Sequence, residues 1–197
     1  MFRVSGFGFR VGLLGALLGG CAAAPSVPEQ IEPSLPSQVQ THPENFQITG
    51  RVAVHYDGQA FSGGLRWRHT AGADEMLLSS PLGQGVAQIV RDESGVTLVN
   101  AADQQTYHAQ DAEALTESVL GWRLPLAGMA YWVRGSPSPG AHQERSEAGQ
   151  LVRLEQDGWQ IDYSGQSQVN GEAMPRKIFM QRGDLEIRVV IDEWGAQ

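Results

Sequence analysis

Catalysis in this chain would have to come from five histidines, two adjacent serines and one cysteine. His42, His55, His69, His108 and His142 are scattered, with no i, i+4 pair and no cysteine beside them. The ligand spacing that a zinc site needs is not visible. Ser79 and Ser80 precede Pro81 and could in principle be nucleophiles. No base stands near them in sequence, however, and serines at a strand end ordinarily build turns. No G-x-S-x-G elbow, P-loop or dinucleotide fingerprint occurs. The expectation is a protein that is not an enzyme and uses no cofactor or metal. A hydrolase would require a Ser or Asp that the fold brings next to a distant base.

The apolar residues are more informative. Trp67, Trp122, Trp132, Trp159 and Trp194 are many indoles for one domain. Each is either ordinary core or part of a lined cavity. Leu82 stands between Pro81 and Gly83, inside a turn where polar residues usually control the backbone. It either folds back against the neighbouring apolar strand or projects into solvent.

The N-terminus decides the compartment. Arg3 and Arg10 precede an apolar run from Val11 to Leu18, and the small residues Gly19 and Gly20 follow. That is the layout of a secretory signal peptide, and the run is short of the roughly 20 apolar residues of a membrane span. Cys21 is the sole cysteine, so no intramolecular disulfide can form. Leu18-Gly19-Gly20-Cys21 resembles a bacterial lipobox, which implies cleavage before Cys21, a diacylglycerol thioether on its sulfur and an acyl group on its new amine. Several chains at about 0.8 kcal/mol per buried CH₂ anchor firmly. Ala22 rather than Asp after the cysteine implies the outer membrane. The division expected is a signal peptide over 1–20, an acylated tether rich in Pro and Ser over 21–44, and one folded domain over 45–197.

The formal net charge is −8, and loss of Arg3 and Arg10 makes the mature chain more acidic still. A basic stripe for nucleic acid is absent. An acidic surface also argues against broad adhesion to anionic headgroups, so membrane attachment must come from the anchor.

Alternation with period two predicts strands at Phe46–Tyr56, Phe61–His69, Met76–Ser79, Val86–Arg91, Val96–Asn100 and Gln104–Ala109. Asp57-Gly58 between the first two is a hairpin signal. Gly63 and Gly64 suggest a bulge or bend in the second strand. The period then changes. Asp111 is a plausible N-cap, with Ala112, Leu115, Val119 and Trp122 at helical spacing behind it. A second helical segment follows Pro125 and ends at Gly135. Residues 136–149 read as a polar loop. Strands resume at Leu151–Glu155 and Trp159–Tyr163, residues 164–175 read as a long polar connection, and Lys177–Gln181 with Leu185–Asp192 form a last hairpin. The count reaches up to about ten short strands with one helical interruption, which suggests a sandwich or an open barrel.

In this order the chain carries G-R-V-A-V from Gly50, F-S-G-G-L-R-W from Phe61, L-L-S-S-P-L-G from Leu77, A-E-A-L-T from Ala112, P-L-x-G-M-x-Y-W-V-R-G from Pro125, G-W-x-I-x-Y from Gly158 and I-D-x-W from Ile191. No one of these is specific, but the set resembles the LolB family of outer-membrane lipoprotein receptors over nearly the whole mature chain. The resemblance implies a mainly β fold, an incomplete antiparallel β-barrel with helices covering a hydrophobic cavity. It implies that acyl chains arrive from a soluble periplasmic carrier of similar fold, LolA, and leave into the inner leaflet of the outer membrane. It also implies a monomer without catalytic activity or cofactor, and a protruding loop, here Pro81, Leu82 and Gly83, whose leucine is exposed. Leu65, Trp67, Met129, Trp132, Trp159 and Ile161 are the candidates for the cavity, although alternation fixes only which residues share a face. Arg51, Arg66 and Arg134 could engage the partner or headgroups; solvated surface charge is their ordinary reading. The competing possibility is a structural or assembly lipoprotein of the envelope, with a filled barrel and a flat partner surface.

Overall fold

The computed structural model describes residues 45–195. The cleavage and lipidation site at Cys21 and the tether lie outside them.

Strand β1 (Phe46–Tyr56) shows why the sheet forms where it does. Phe46, Ile48, Val52 and Val54 are buried on one face, and the residues between them lie toward solvent, the arrangement of a strand with one dry side. Asp57 and Gly58, both at positive φ, make the tight turn into β2 (Gln59–His69). The sheet continues through β3 (Asp74–Ser79), β4 (Gly85–Asp92), β5 (Gly95–Asn100) and β6 (Gln105–Ala109). Helices α1 (Ala112–Leu120) and α2 (Leu126–Trp132) follow, and then β7 (His142–Glu147), β8 (Gln150–Gln156), β9 (Trp159–Val169), β10 (Glu172–Arg182) and β11 (Leu185–Gly195). All eleven form one antiparallel sheet in the order β6-β5-β4-β3-β2-β1-β11-β10-β9-β8-β7. The outermost strands β6 and β7 do not pair with each other, so the barrel is incomplete. Both helices pack with the inward-facing strand residues into one continuous core.

Two segments expected as loops are strands. The stretch 136–149 contains β7, which turns at Ala148-Gly149 into β8. Every residue of β7 is exposed, so no apolar alternation marks it. The stretch 164–175 is the far half of a long hairpin, β9 turning at Asn170-Gly171 into β10. Asn-Gly is a strong hairpin signal that polar surroundings conceal. Pro175 is accommodated because β11 pairs with β10 only from Lys177 onward, leaving the proline on an edge stretch.

The glycines expected to mark a bulge or a bend are not themselves a bulge. The β1–β2 register runs unbroken through Gly63 and Gly64. A Cβ on either would collide with Ser79, so both glycines admit a close approach of β3, and the register shift sits there, between Leu78 and Ser79.

Asp111 caps α1 as expected, its carboxylate accepting the Ala114 N–H at 2.6 Å. The helix ends at Leu120, where Gly121 takes a left-handed φ of 84°. Trp122 is therefore past the helix, not on it, although it remains buried.

Candidate functional site

The β3–β4 connection is built by its own residues. Gly83 N–H donates to the Ser80 carbonyl at 2.8 Å, and Ser80 N–H donates to the Gln84 carbonyl at 2.7 Å. Pro81 and Leu82 are thus the two central residues of a β-turn. Pro81 supplies the fixed φ, and Gly83 follows at φ 82°. Leu82 is not among the residues at positive φ, so the turn has type I character and accepts an ordinary side chain at its second central position. The Ser80 hydroxyl accepts the Gln84 N–H at 3.3 Å, which is the turn-forming role. Leu82 is left 89% exposed. It does not fold back into the core.

At the foot of this loop lies a cavity of about 220 Å³. Leu78 and Val86, from the strands that flank the loop, form one wall. Val54 and Phe61 from the β1–β2 hairpin form another, and Leu120 and Trp122 at the end of α1 close it. Sequence reasoning did not assign these residues to a cavity. The available signal was proximity in chain: Leu78 and Val86 bracket the loop.

The six residues expected to line a cavity are placed differently. Leu65, Trp67, Met129, Trp132, Trp159 and Ile161 are all buried members of one core, and none of them lines the cavity beneath the loop. Trp159 alone borders a second, more polar cleft of about 420 Å³ near the β8–β9 turn. Trp132 and Trp159 pack with ring centroids 5.8 Å apart. The Trp132 indole donates to Gln156 Oε1 at 3.0 Å. The Gln156 amide also donates to the Ser138 carbonyl and accepts the Ser138 N–H, both at 2.8 Å. A buried side-chain amide of β8 thereby holds both α2 and the chain that leaves it.

Trp67 is fixed from the opposite side of the core. Its indole donates to Asp74 Oδ1 at 2.8 Å, which also receives His69 Nδ1 at 2.6 Å, while Arg91 Nε donates to Asp74 Oδ2 at 2.6 Å. Burial alone would raise the Asp74 pKa. The hydrogen bonds from His69 and Trp67, the charge of His69 and the bond from Arg91 outweigh it and hold the carboxyl below its ordinary value.

The three arginines separate. Arg51 is exposed and pairs with Asp192 at 3.0 and 3.1 Å, and Arg66 is exposed. Arg134 is not surface charge. It is buried at the end of α2, its Nε donating to the Ala130 carbonyl at 2.8 Å and its guanidinium lying 5.2 Å from the Tyr131 ring centre. The chain leaves α2 through Gly135 at φ 74°. Among the described residues no group of three or more His, Cys, Asp or Glu is placed to hold a metal.

An open antiparallel sheet curled round two helices, with an apolar cavity at its rim, is an architecture that can shelter an apolar ligand. A profile of the family described as outer membrane lipoprotein LolB matches residues 44–194. The chain is 44% identical over 158 residues to the outer-membrane lipoprotein LolB of Nitrosomonas europaea, covering 78% of this chain and 74% of that one. It is 41% identical over 179 residues to its counterpart from Thiobacillus denitrificans, covering 90% and 91%. The chain belongs to the LolB family. Among solved structures, a LolA superfamily protein from Nitrosomonas europaea superposes with a TM-score of 0.50 over 79% of this chain and 88% of that one. A DUF1329 family protein from Desulfovibrio piger does so with a TM-score of 0.51 over 80% and 87%. Both are 8% identical to this chain, so the likeness is one of fold.

Proposed function

We propose that this protein receives acylated lipoproteins from a LolA-like periplasmic carrier and releases their acyl chains into the inner leaflet of the outer membrane. Family membership makes lipoprotein localisation at the outer membrane its function and sets aside a purely structural envelope role. The observation that supports the mechanism is the apolar cavity at the foot of a loop whose tip is an almost fully exposed leucine. Cys21 carries the lipid anchor, residues 21–44 are the tether, and residues 45–197 act as a monomer without a cofactor.

Magnitudes explain why such a protein is needed. Three acyl chains at about 0.8 kcal/mol per CH₂ represent tens of kcal/mol of exposure penalty in water. A handoff from one apolar site to another can be nearly level, and the last step into the bilayer runs downhill. The cavity of about 220 Å³ is below the roughly 300–1,000 Å³ of sites that hold a drug-sized ligand. Cargo must therefore displace part of the helical plug, to which Met129 and Trp132 of α2 belong, from the strand residues Leu65, Trp67, Trp159 and Ile161. Leu82 then acts locally. Burying a leucine side chain in the leaflet returns about 1.5–3 kcal/mol, enough to hold the rim at the surface while acyl chains leave and too little to serve as an anchor.

A transfer assay tests this. All core residues lie within 46–191, so the mature chain with Cys21→Ala keeps the whole core. It is mixed with a carrier–lipoprotein complex, and each protein is recovered separately. Cargo moves to the parent chain. Leu82→Glu accepts cargo but delivers it to liposomes at least about tenfold more slowly, the ratio that 1.5 kcal/mol commands. A folded parent chain that never takes cargo from an intact complex ends the receptor proposal.

A further inference from the structure

The cavity beneath the loop changes character along one hairpin. Val54 and Phe61 stand opposite each other on β1 and β2, and Tyr56 and Gln59 do so two residues further on, at the base of the turn. Residues two apart on a strand share a face, and all four line the cavity. The first pair is apolar: Val54 is buried, and Phe61 packs against the core. The second pair, nearer the turn, carries a hydroxyl and a carboxamide. Among the described residues neither of these polar groups has a hydrogen-bond partner.

The Gln59 carboxamide reaches across to the end of α1. Its Oε1 lies 3.9 Å from where a Cβ on Gly121 would stand. Arg123 is within electrostatic range of Tyr56, but its guanidinium is taken by Glu117 at 2.7 Å. What Tyr56 and Gln59 offer at the rim is therefore a pair of neutral donors. An anion would call for a cation there. An apolar wall that ends in neutral donors matches an acyl group instead, with its methyl end inward and its carbonyl at the rim. A carbonyl drawn out of water needs a donor, because a polar group buried without one is penalised.

We propose, resting on the receptor function above, that Tyr56 and Gln59 are binding residues for the ester or amide carbonyl of a cargo acyl chain. They fix the direction in which the chain enters and the depth it reaches. In the empty protein both groups bond to water, so their presence costs no stability. In the loaded protein they take the place of the water that the carbonyl gives up. At the leaflet surface water serves the carbonyl again, and the exchange reverses.

The test uses the mature chain with Cys21→Ala and two probes, monolauroyl glycerol and its lauryl ether, each below its micelle concentration. They share a chain length and differ in the carbonyl. Binding is followed by tryptophan fluorescence, since Trp122 lines the cavity. The parent binds the ester more tightly than the ether. Tyr56→Phe and Gln59→Leu each weaken the ester about 2- to 12-fold, the factor that one net hydrogen bond commands. Tyr56→Phe leaves the ether unchanged, and Gln59→Leu, which adds an apolar group, leaves it unchanged or tighter. Equal losses on ester and ether would mean that the two side chains only pack, and overturn the proposal; unchanged affinities in both variants do the same. A parent that accepts cargo in the transfer assay yet binds ester and ether alike overturns this proposal alone. A parent that accepts no cargo ends the receptor proposal, and this one with it.

Discussion

Asp74→Asn should destabilise the domain by a predictable amount and with a predictable pH dependence. The carboxylate is buried between three donors: the Trp67 indole at 2.8 Å, His69 Nδ1 at 2.6 Å and Arg91 Nε at 2.6 Å. An amide keeps the shape, removes the charge and turns one acceptor into a donor that faces other donors. Breaking a buried pair by removing one partner costs about 3–5 kcal/mol. The Arg91 side chain is 30% exposed and can turn to water, which places the expectation near about 3 kcal/mol. For a domain of this size each kcal/mol lowers the melting temperature by about 2–4 °C, so a loss of about 6–12 °C at neutral pH is expected. The Asp74 pKa is depressed in the folded state from its ordinary 3.8. Its contribution is therefore complete above that ordinary value and disappears as pH falls through the lower, folded one. Urea unfolding of parent and variant from neutral pH into acid should show a gap that is constant above the ordinary carboxyl value and narrows as pH falls below it. A variant within about 1 °C of the parent at neutral pH, or a gap that persists unchanged in acid, would refute the assigned role of this cluster.

Other consequences are simpler to test. Tyr163→Phe should leave stability unchanged or raise it slightly in thermal denaturation, because among the described residues the buried hydroxyl has no hydrogen-bond partner and its loss strands nothing. In the parent, burial and then the charge of Glu144 push the Tyr163 hydroxyl far above the ordinary tyrosine value, so alkaline difference spectra should show it ionising only on unfolding. Gly63→Ala should cost about 1–3 kcal/mol by urea denaturation, because the new methyl overlaps the Ser79 carbonyl, which is backbone and cannot turn aside. Leu82→Ala should change stability by no more than about 0.5 kcal/mol, as expected of an exposed site, while it slows delivery to liposomes; a melting shift comparable to that of Gly63→Ala would mean that the loop is structural.

What was legible in the sequence follows from which face each residue shows. The bounds of β1 could be read because Phe46, Ile48, Val52 and Val54 alternate with solvent-facing residues. Asp111 announced the start of α1 because a short carboxylate is favoured where the free N–H groups of a helix N-terminus need an acceptor. By contrast β7 is solvent-facing at every position, so it carries no hydrophobic period. The far ends of β9 and β10 reach beyond the core, leaving Asn170-Gly171 as their one local sign. The cavity beneath the loop was hidden for a different reason. Alternation puts Leu65, Trp67 and Ile161 on the inner face, but where helices fill that face and where they fall short depends on where α1 stops. Gly121 stops it early, and Trp122 turns down beside Phe61 and Leu78 instead of extending the helix.

The division of labour between anchor, loop and helices follows from the surface as much as from the core. The chain has a net charge of −8, which disfavours broad contact with anionic headgroups. Among the described residues the exposed large apolar side chains are Leu77 and Val99, each 38% exposed, and Leu82. Only the last stands clear of its surroundings. Under the proposed function, contact with the leaflet is thereby confined to one point, and that point adjoins the cavity. A broader apolar rim would bind the bilayer more tightly, but it would also hold the mouth against the membrane when the carrier needs access to it. On the proposed function, a single leucine worth about 1.5–3 kcal/mol engages and lets go within the ordinary range of thermal exchange, while the proposed acyl anchor keeps the domain near the membrane throughout. Under the proposed function the contact is small because it must be made and broken once for every lipoprotein that passes.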